Sequence, residues 1–438
     1  MSTGYKTYFK DKNITMMGLG LLGRGLNVAK FLAQNGATVL VTDLKSKKEL
    51  ASTLKQLKKY KTIRYVLGKH DKKDFKNKDL IIKAAGVPLD SPYINEAHKN
   101  KIPVEMDASL FAKLAPEGVT IIGITGTKGK SMTTQLIYEI LKQAKKRVYL
   151  GGNVRGVATL PLLKKVKKGD FVVLELDSWQ LQGFGESRVS PHIAVFTNFM
   201  RDHLNYYKGN MRRYFADKAN IYKYQTKGDV LVCGTSVAKK IKTKSKKIIV
   251  SKNKLPKTWK VLEGDHYREN IAYAIAVANV LKIKQSAIKK AVESFKGVPG
   301  RLEFVKNVEG VNYYNDTTAT MPEAVIGALK TFPKKKTILI AGGADKKLEY
   351  KDLAKVIKTH AKTLILFEGE ATKKLKKELK KINIPTFEVS SMKDAVACAY
   401  AHAERGDTVL LSPGAASFGL FKNEFDRGDQ FMKRVKSL

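Results

Sequence analysis

The stretch GITGTKGKS at residues 123–131 decides the fold of the middle of this chain. It ends in Gly129-Lys130-Ser131, as a phosphate-binding loop does, and it joins an apolar stretch to a helix-like one, SMTTQLIYEILKQA. The usual loop carries a further glycine at the position where this chain has Ile124. A chance match and a variant loop with a shorter turn are therefore both open.

The strand-loop-helix context favours a nucleotide site. Backbone N–H groups at the start of a helix attract phosphates, a lysine neutralises them, and a serine hydroxyl can bind Mg²⁺. The sequence therefore predicts ATP binding, with Mg²⁺, by Gly126, Thr127, Lys128, Gly129, Lys130 and Ser131.

A second glycine-rich turn lies near the start of the chain. The residues GLGLLG at 18–23 follow a strand-like stretch and precede a helix-like one, and Asp43 ends the next strand. This pattern alone suggests an NAD-dependent oxidoreductase. Glycines that admit a diphosphate to a helix N-terminus suit a UDP-linked substrate equally well, however. A tight turn without any ligand is the third possibility.

Strand-like and helix-like stretches alternate along the whole chain, which predicts the α/β class. The predicted strands are NITMMG, ATVLVTD, LIIKAAG, VTIIGITG, FVVLELD, HIAVFTN, GVNYYND, KKTILIAGG, AKTLILFEG and DTVLLSPG. Composition changes near Pro116 and near KGVPGR at 296–301 suggest two joins. We predict a Rossmann-like N-terminal domain, a central P-loop ATPase-like domain with a mostly parallel sheet, and a Rossmann-like C-terminal domain. Their predicted ranges are 1–114, 115–299 and 300–438.

The bulk composition narrows the class of protein further. The first 17 residues have no secretory h-region, and no run of 18 apolar residues follows, so we expect neither export nor membrane insertion. The two cysteines, Cys233 and Cys398, are too few for a disulfide framework or a zinc site with paired ligands. We expect a cytoplasmic protein.

The net charge of +42 is large, but it is dispersed. Of 82 basic residues, 13 are arginine and 69 are lysine, spread along the whole chain. Nucleic-acid binders more often cluster their charge and favour arginine. We therefore expect no specific nucleic-acid partner, although RNA or DNA binding stays an alternative, and we expect the field to attract anionic small substrates.

The loop TGTKGKS, taken with other blocks in order, resembles the Mur ligase family, whose loop has this short form. The further blocks are GGNV, ELDSWQL, FTNFMRDHLNYY, FADKANIY, PGRLE, NDTTAT, GGADK and LSPGAASFGLFKNEFDRG. Lys128 stands where the family usually has asparagine. Together with GLGLLGRG, these blocks most resemble members that add D-glutamate to UDP-N-acetylmuramoyl-L-alanine for peptidoglycan synthesis.

The resemblance implies an ATP-dependent ligase that activates a carboxylate as an acyl phosphate. It makes Glu175 and His203 Mg²⁺ ligands beside Ser131, and it makes Lys218 a lysine that CO₂ carbamylates, so that it too can bind Mg²⁺. With Lys130, these residues form the predicted catalytic set.

The resemblance also assigns substrate contacts. Further ATP contacts are Asn270, Arg301 and Asp316, although Asn270 could instead be a helix N-cap. The UDP-substrate contacts are Leu21, Leu22, Asp43, Ala85, Gly86 and Asn153. The amino-acid contacts are Lys346, Ser417 and Phe425. We expect a monomer with small-molecule substrates.

One departure concerns the amino-acid substrate. Many similar enzymes have lysine in N-D-[ST]-K-A-T, where this chain has Thr318. Loss of that ammonium changes how a side-chain carboxylate is bound, or which amino acid is taken. Another Mur-type or folylpolyglutamate-type ligase is therefore the nearest alternative.

Overall fold

The computed structural model describes residues 4–21, 23–154, 156–251, 259, 265–345, 348–379, 383–417 and 419–438. The chain forms two compact units, Met1–Phe295 and Lys296–Leu438. The described residues of the first unit build two sheets, and those of the second build one.

The first sheet consists of β1 (Asn13–Met17), β2 (Thr38–Asp43), β3 (Ile63–Leu67), β4 (Leu80–Lys83) and β5 (Val104–Glu105). Its helices are α1 (Gly4–Phe9), α2 (Arg24–Gln34), α3 (Ala51–Leu57), α4 (Pro92–Lys99) and α5 (Asp107–Leu114). The strands are parallel, in the order β3-β2-β1-β4-β5. The strand order reverses between β1 and β4, which is where such sheets bind ligands, and the glycine-rich turn follows β1.

The second sheet contains β6 (Thr120–Thr125), β7 (Val148–Gly152), β8 (Phe171–Glu175), β9 (Ile193–Phe196), β10 (Val230–Gly234) and β11 (Lys246–Val250). Its helices are α6 (Lys130–Gln143), α7 (Ser178–Ser187), α8 (Leu204–Tyr207), α9 (Met211–Lys223), α10 (Thr235–Ala238), α11 (Asp265–Val280) and α12 (Gln285–Ser294). The strands are parallel in the order β11-β10-β9-β6-β8-β7, so β8 and β9 flank the strand that leads into the phosphate loop.

The two sheets of the first unit share one hydrophobic core, which runs from Phe9 and Phe31 to Leu160 and Phe196. Polar contacts add to it: the Asp107 carboxylate accepts hydrogen bonds from the backbone amides that begin a short 3₁₀ helix at Leu160–Lys164, at 2.7 and 2.8 Å. The glycine-rich turn and the phosphate loop therefore belong to one packed body.

The second unit has a sheet made of β12 (Glu303–Val308), β13 (Val311–Asn315), β14 (Thr337–Gly342), β15 (Ala361–Phe367), β16 (Thr386–Val389) and β17 (Thr408–Leu411). Its helices are α13 (Pro322–Leu329), α14 (Lys351–His360), α15 (Glu370–Leu379), α16 (Met392–His402) and α17 (Glu424–Lys436). The order is β12-β13-β17-β14-β15-β16, and only the β12–β13 pair is antiparallel among the described strands. Apolar clusters cover both faces of this sheet.

The predicted α/β class is confirmed: all three sheets are parallel or mostly parallel and are covered by helices. The sequence prediction omitted the six edge strands β3, β5, β7, β11, β12 and β16, and also the interior strand β10. Among the described helices, none combines the length and the apolar character that a membrane crossing requires.

Candidate active site

The loop between β6 and α6 depends on two glycines with positive φ. Gly126 has φ 148° and Gly129, which caps α6, has φ 84°. A Cβ atom on Gly126 would lie 1.9 Å from the Thr197 hydroxyl. The Lys130 ammonium folds back over the loop and donates to the carbonyls of Gly126, at 3.0 Å, and Thr127, at 3.1 Å. The loop is thus a tight turn with a cation over its centre.

The segment after β9 anchors the loop. The amides of Thr127 and Lys128 donate to the backbone and side-chain oxygens of Asn198, at 3.0 and 2.9 Å. The Thr197 hydroxyl donates to the Lys128 carbonyl at 2.7 Å. These two loop amides therefore have protein acceptors. The first turn of α6, whose amides lack intrahelical acceptors, is the part of the loop best suited to phosphate.

Lys218 lies under the same loop. Its side chain is 1% exposed, and its ammonium donates to the Gly126 carbonyl at 2.8 Å and stands 5.0 Å from the centre of the Tyr214 ring. Burial, followed by the charge of Lys130, holds the pKa of Lys218 well below its ordinary value, although Asp177 and Asp202 oppose the shift. Two lysines share one carbonyl, which favours an uncharged amine at Lys218.

His203 adopts an unusual backbone conformation, with φ 52°. Its amide donates to the Asp202 carboxylate at 2.8 Å, and its ring packs 5.0 Å from Trp179, centre to centre. Burial lowers the pKa of His203, the carboxylate of Asp202 opposes this shift, and the neighbouring lysines Lys218 and Lys130 add to it. A neutral imidazole is the form that can bind a metal ion.

Glu175 ends β8 at the same edge of the sheet. It pairs in register with Ile124 of β6 and with Gly152 of β7, and it is 5% exposed. Its backbone carbonyl accepts from the amide of Asn153 at 2.6 Å, and Asn153 itself is exposed. The carboxyl ends of adjacent parallel strands therefore bring Glu175 and Asn153 beside the phosphate loop.

Asn270 packs directly against this loop. It lies inside α11, which begins at Asp265, so the alternative that it is an N-cap is wrong. A Cβ atom on Gly129 would stand 2.1 Å from its side-chain oxygen, and its amide donates to the Met132 sulfur at 3.5 Å. A buried asparagine thus fits over a position that admits only glycine.

We predict that Gly129→Ala weakens ATP binding by more than backbone strain alone can explain. The new methyl group collides with Asn270, in addition to the roughly 1 kcal/mol that a left-handed conformation costs alanine. Gly209→Ala is the matched control, because Gly209 has φ 76° and nothing within 4 Å of the added atom. We expect at least about a tenfold larger rise in the KM for ATP at Gly129; equal effects at both sites would contradict this packing role.

The donors at this edge suit Mg²⁺ better than a transition metal. Among the described residues no three His, Cys, Asp or Glu side chains gather into a metal-binding group. Mg²⁺ commonly takes only one or two protein carboxylates and fills its other positions with phosphate oxygens and water. A buried carboxylate at Glu175 and the hydroxyl of Ser131 at the start of α6 fit that requirement.

The glycine-rich turn of the first sheet is closed by Asp43. Its carboxylate accepts from the amides of Leu19, at 2.8 Å, and Gly20, at 3.0 Å, and from that of Lys45, at 2.8 Å. Three backbone donors occupy this side chain, so it holds the turn in shape. Leu21 is 49% exposed beside it.

The turn after β4 faces the same edge. A Cβ atom on Gly18 would lie 2.8 Å from that of Ala84, so the two turns pack closely. Ala85 is half-buried and Gly86 is exposed. Leu22 lies outside the described residues. Of the predicted UDP set, Leu21, Asp43, Ala85 and Gly86 thus follow strands of the first sheet, whereas Asn153 follows β7 of the second sheet.

The second unit carries the remaining predicted contacts. Asp316 follows β13 and is buried. Its carboxylate accepts hydrogen bonds from the Ser412 hydroxyl at 2.7 Å and from the Leu302 amide at 3.2 Å. Burial raises the pKa of Asp316 to about 7. Leu302 has φ 44°, so this carboxylate stabilises the strained residue next to Arg301, which is exposed.

The predicted amino-acid contacts follow neighbouring strands. Ser417 is buried after β17, and Phe425 is half-buried in the first turn of α17, where its amide donates to the Asn423 cap at 3.0 Å. Lys346, which follows β14, lies outside the described residues. Thr318 donates its hydroxyl proton to the Gly300 carbonyl at 2.8 Å.

Sequence reasoning missed several residues of the site. Asn198 and Thr197 shape the phosphate loop, Tyr214 covers Lys218, and the charge of Asp177 acts on the pKa of both Lys218 and His203. Most of these residues lie inside the blocks ELDSWQL and FTNFMRDHLNYY, which contain the predicted ligands Glu175 and His203. Their closeness in sequence to these two residues could have identified them.

Comparison with known proteins gives a family for the whole chain. Three family models match it: a Mur ligase MurD-like N-terminal domain at 12–105, a Mur ligase middle domain at 124–295, and a Mur ligase glutamate ligase domain at 300–414. The UDP-N-acetylmuramoylalanine-D-glutamate ligase of Borreliella burgdorferi is 38% identical over 98% of both chains. The chain belongs to the Mur ligase family.

Other relatives agree with this Mur ligase assignment. The UDP-N-acetylmuramoylalanine-D-glutamate ligase of a Roseiflexus species is 36% identical over 97% of this chain and 98% of its own. The crystal structure of UDP-N-acetylmuramate-alanine ligase from Thermotoga maritima has the same fold, with a TM-score of 0.62 and 20% identity over 97% of this chain and 99% of that one. Membership of the family removes the oxidoreductase alternative suggested by the first glycine turn.

Proposed function

We propose that this Mur ligase joins D-glutamate to UDP-N-acetylmuramoyl-L-alanine at the expense of ATP. The proposal rests on one observation above all: Lys130 and Lys218 meet at the Gly126 carbonyl, beside Glu175 and His203, in a chain that matches ligases of this specificity along its full length. The products are the amide, ADP and phosphate.

The reaction has two steps. The carboxylate of the UDP-linked substrate attacks the γ-phosphorus of ATP, the bond to the bridging oxygen breaks, and ADP leaves an acyl phosphate behind. The amine of D-glutamate then attacks the acyl carbon, phosphate departs with the electrons of the C–O bond, and the amine loses a proton. Both steps gather negative charge, so positioning and electrostatics supply most of the catalysis.

Each predicted residue has a role in this proposal. Lys130 would offset charge on the transferred phosphate. Ser131, Glu175 and His203 would hold Mg²⁺, which would screen the phosphates when bound. Asn270 borders the adenine, and Arg301 and Asp316 of the third predicted domain contact the phosphates and the ribose. The UDP moiety would bind at the first sheet, where its contacts would be Leu21, Leu22, Asp43, Ala85 and Gly86, with Asn153 near the phosphates.

Lys218 acts as a carbamate in this scheme. The uncharged amine adds to CO₂: an N–C bond forms, one C=O π bond of CO₂ breaks, and a proton leaves the nitrogen, so that a neutral amine becomes an anion with two oxygen donors. The buried side chain and the adjacent Lys130 ammonium favour that uncharged amine. The carbamate then attracts Lys130 and Mg²⁺ where an ammonium would repel them.

The predicted ranges 1–114, 115–299 and 300–438 would bind the UDP substrate, ATP and the amino acid respectively. The amino acid would contact Lys346, Ser417 and Phe425. ATP, a nucleotide-linked substrate and two free cysteines suit a cytoplasmic enzyme, and we expect it to be a monomer. Because Thr318 stands where similar enzymes have lysine, a ligase of different amino-acid specificity is the second candidate.

A substrate panel tests this proposal. ADP release is measured with UDP-N-acetylmuramoyl-L-alanine, UDP-N-acetylmuramate and a folate acceptor, each with D-glutamate, L-glutamate, D-glutamine and glycine. We expect turnover with the first acceptor and D-glutamate at least about 10²-fold above every other pair, the size of discrimination that polar recognition readily reaches. Preference for another amino acid would establish the second candidate, and preference for a folate acceptor would move the enzyme to a different ligase type.

A further inference from the structure

The second unit buries a whole guanidinium group. Arg427 of α17 is 1% exposed and is among the largest fully buried side chains of the described chain. Its Nε donates to the Thr317 hydroxyl at 3.2 Å, and its two terminal nitrogens donate to the carbonyls of Thr317 at 2.9 Å and Ala415 at 3.3 Å. All three acceptors are neutral.

Among the residues that the structure describes, no carboxylate balances this charge at close range. In the described part of the chain no Asp or Glu oxygen lies within 4.0 Å of the Arg427 nitrogens. The buried charge of Asp407, by contrast, is paired with the Lys362 ammonium at 2.6 Å. Burial lowers the pKa of Arg427 to about 10, although Glu424 opposes the shift. A buried cation without a counter-ion is unfavourable, and a bound anion nearby relieves it.

The acceptors of Arg427 place it at a ligand-binding edge. Thr317 follows β13 and Ala415 follows β17, and these two strands are adjacent and parallel. The strand order changes direction between β17 and β14, where ligands of α/β sheets bind. The loop after β17 continues to Ser417, and the Ala344–Ala416 bridge joins it to the loop after β14. The guanidinium thus underlies the loops around this crevice.

Thr318 contributes no positive charge to this crevice. Its hydroxyl and its amide both contact the Gly300 carbonyl, at 2.8 and 3.1 Å, so this residue fastens the loop before β12 and brings no charge. An amino acid with two carboxylates still needs cationic partners in the crevice. Arg427 is a cation directly behind Thr317, on the side of α17.

We propose that Arg427 supplies the positive charge that selects an amino acid with a side-chain carboxylate, in place of an ammonium at position 318. The inference rests on the proposed function and deepens it. Arg427 is a positioning residue: it acts through Thr317 and Ala415, whose loops it holds, and through its uncompensated charge. In the low dielectric of the buried edge, that charge reaches a carboxylate that it does not touch.

Variants at Arg427 separate charge from packing. Arg427→Gln keeps hydrogen-bond donors but removes the charge, whereas Arg427→Lys keeps the charge. We expect Arg427→Gln to raise the KM for D-glutamate by about tenfold or more, and Arg427→Lys by about threefold, with the KM for ATP unchanged within about twofold. Arg434→Gln, an exposed arginine on the same helix, is the control and should match wild type.

A second variant tests the link to position 318. Adding Thr318→Lys to Arg427→Gln should restore most of the lost affinity for D-glutamate, because it returns a cation to the crevice. Turnover with D-glutamine, which is neutral, should change little in Arg427→Gln, so the preference for D-glutamate over D-glutamine should fall by about tenfold.

The same measurements can overturn the inference. Equal losses in Arg427→Gln and Arg427→Lys, equal losses for D-glutamate and D-glutamine, or no rescue by Thr318→Lys would each show that the guanidinium only fastens the loops. If Arg427→Gln does not fold, Arg427→Lys with and without Thr318→Lys gives the comparison: a lower KM for D-glutamate in the double variant supports the inference, and an unchanged one overturns it. Wild-type turnover with D-glutamate tests the proposed function separately.

Discussion

Lys218→Ala should abolish amide-bond formation, lowering kcat by about 10³-fold or more, the loss expected when a preorganised electrostatic group is removed from a phosphoryl-transfer site. The reason is local: Lys218 is buried under the loop and its amine meets the Gly126 carbonyl at 2.8 Å, so solvent cannot replace the missing oxygen donors of a carbamate. Ligase turnover is followed by ADP and phosphate release at saturating substrates.

Rescue distinguishes a carbamate from a plain lysine. A short carboxylate such as acetate or propionate should restore part of the activity of Lys218→Ala, because it supplies oxygen donors again. Wild-type enzyme prepared without CO₂ should gain activity on addition of bicarbonate. Lys223→Ala is the control, because Lys223 is an exposed lysine in the last turn of the same helix. Normal turnover in Lys218→Ala would refute the assignment, and a loss that neither carboxylate nor bicarbonate affects would refute the carbamate.

Lys130→Ala should lower the kcat of ATP turnover by about 10²- to 10³-fold, with a smaller rise in the KM for ATP. Lys130 is the first residue of α6, and its ammonium lies over the loop, 3.0 Å from the Gly126 carbonyl. Removing it leaves the transferred phosphate without its nearest cation. The variant also removes the ammonium that lowers the pKa of Lys218, so it should retain the carbamate less readily.

The effect of Lys130→Ala is measured in single-turnover reactions with labelled ATP and the UDP-linked acceptor. Lys142→Ala, at the exposed end of the same helix, should behave as wild type because it removes only a surface ion pair with Glu139. If ATP consumption in Lys130→Ala stays within about threefold of wild type, the loop does not act as a phosphate site.

Local patterns in the chain predicted most of the interior architecture. Strands such as FVVLE and TILIAG are buried on both faces in parallel sheets and therefore form continuous apolar runs. The edge strands escaped prediction because each has a partner on one side only, and most of them mix polar with apolar residues, as IRYVL and EFVKNV do. The interior strand β10, VLVCG, is apolar and could have been found.

Some residues of the candidate site could be predicted from the sequence, and others could not. The loop from Gly126 to Ser131 could be recognised locally because its glycines, lysine and serine are neighbours along the chain. Asn198 and Arg427 could not, because an asparagine after a strand and an arginine on a helix carry no local sign of what they contact. Lys218 was predicted from the resemblance to a family. Only the folded chain brings it to the carbonyl of Gly126, which lies 92 positions earlier in the sequence.

The amino-acid sequence by itself determined the α/β class, the two glycine turns and the order of the blocks that mark a Mur ligase, because spacing, apolar runs and glycine positions are properties of neighbouring residues. Only the tertiary structure decided that Lys130 and Lys218 share one carbonyl, that Asp43 is held by backbone amides, and that the buried Arg427 donates only to neutral oxygens among the described residues. Charge, burial and the resulting pKa depend on groups that meet across sheets and loops, and these distances exist only once the chain has packed.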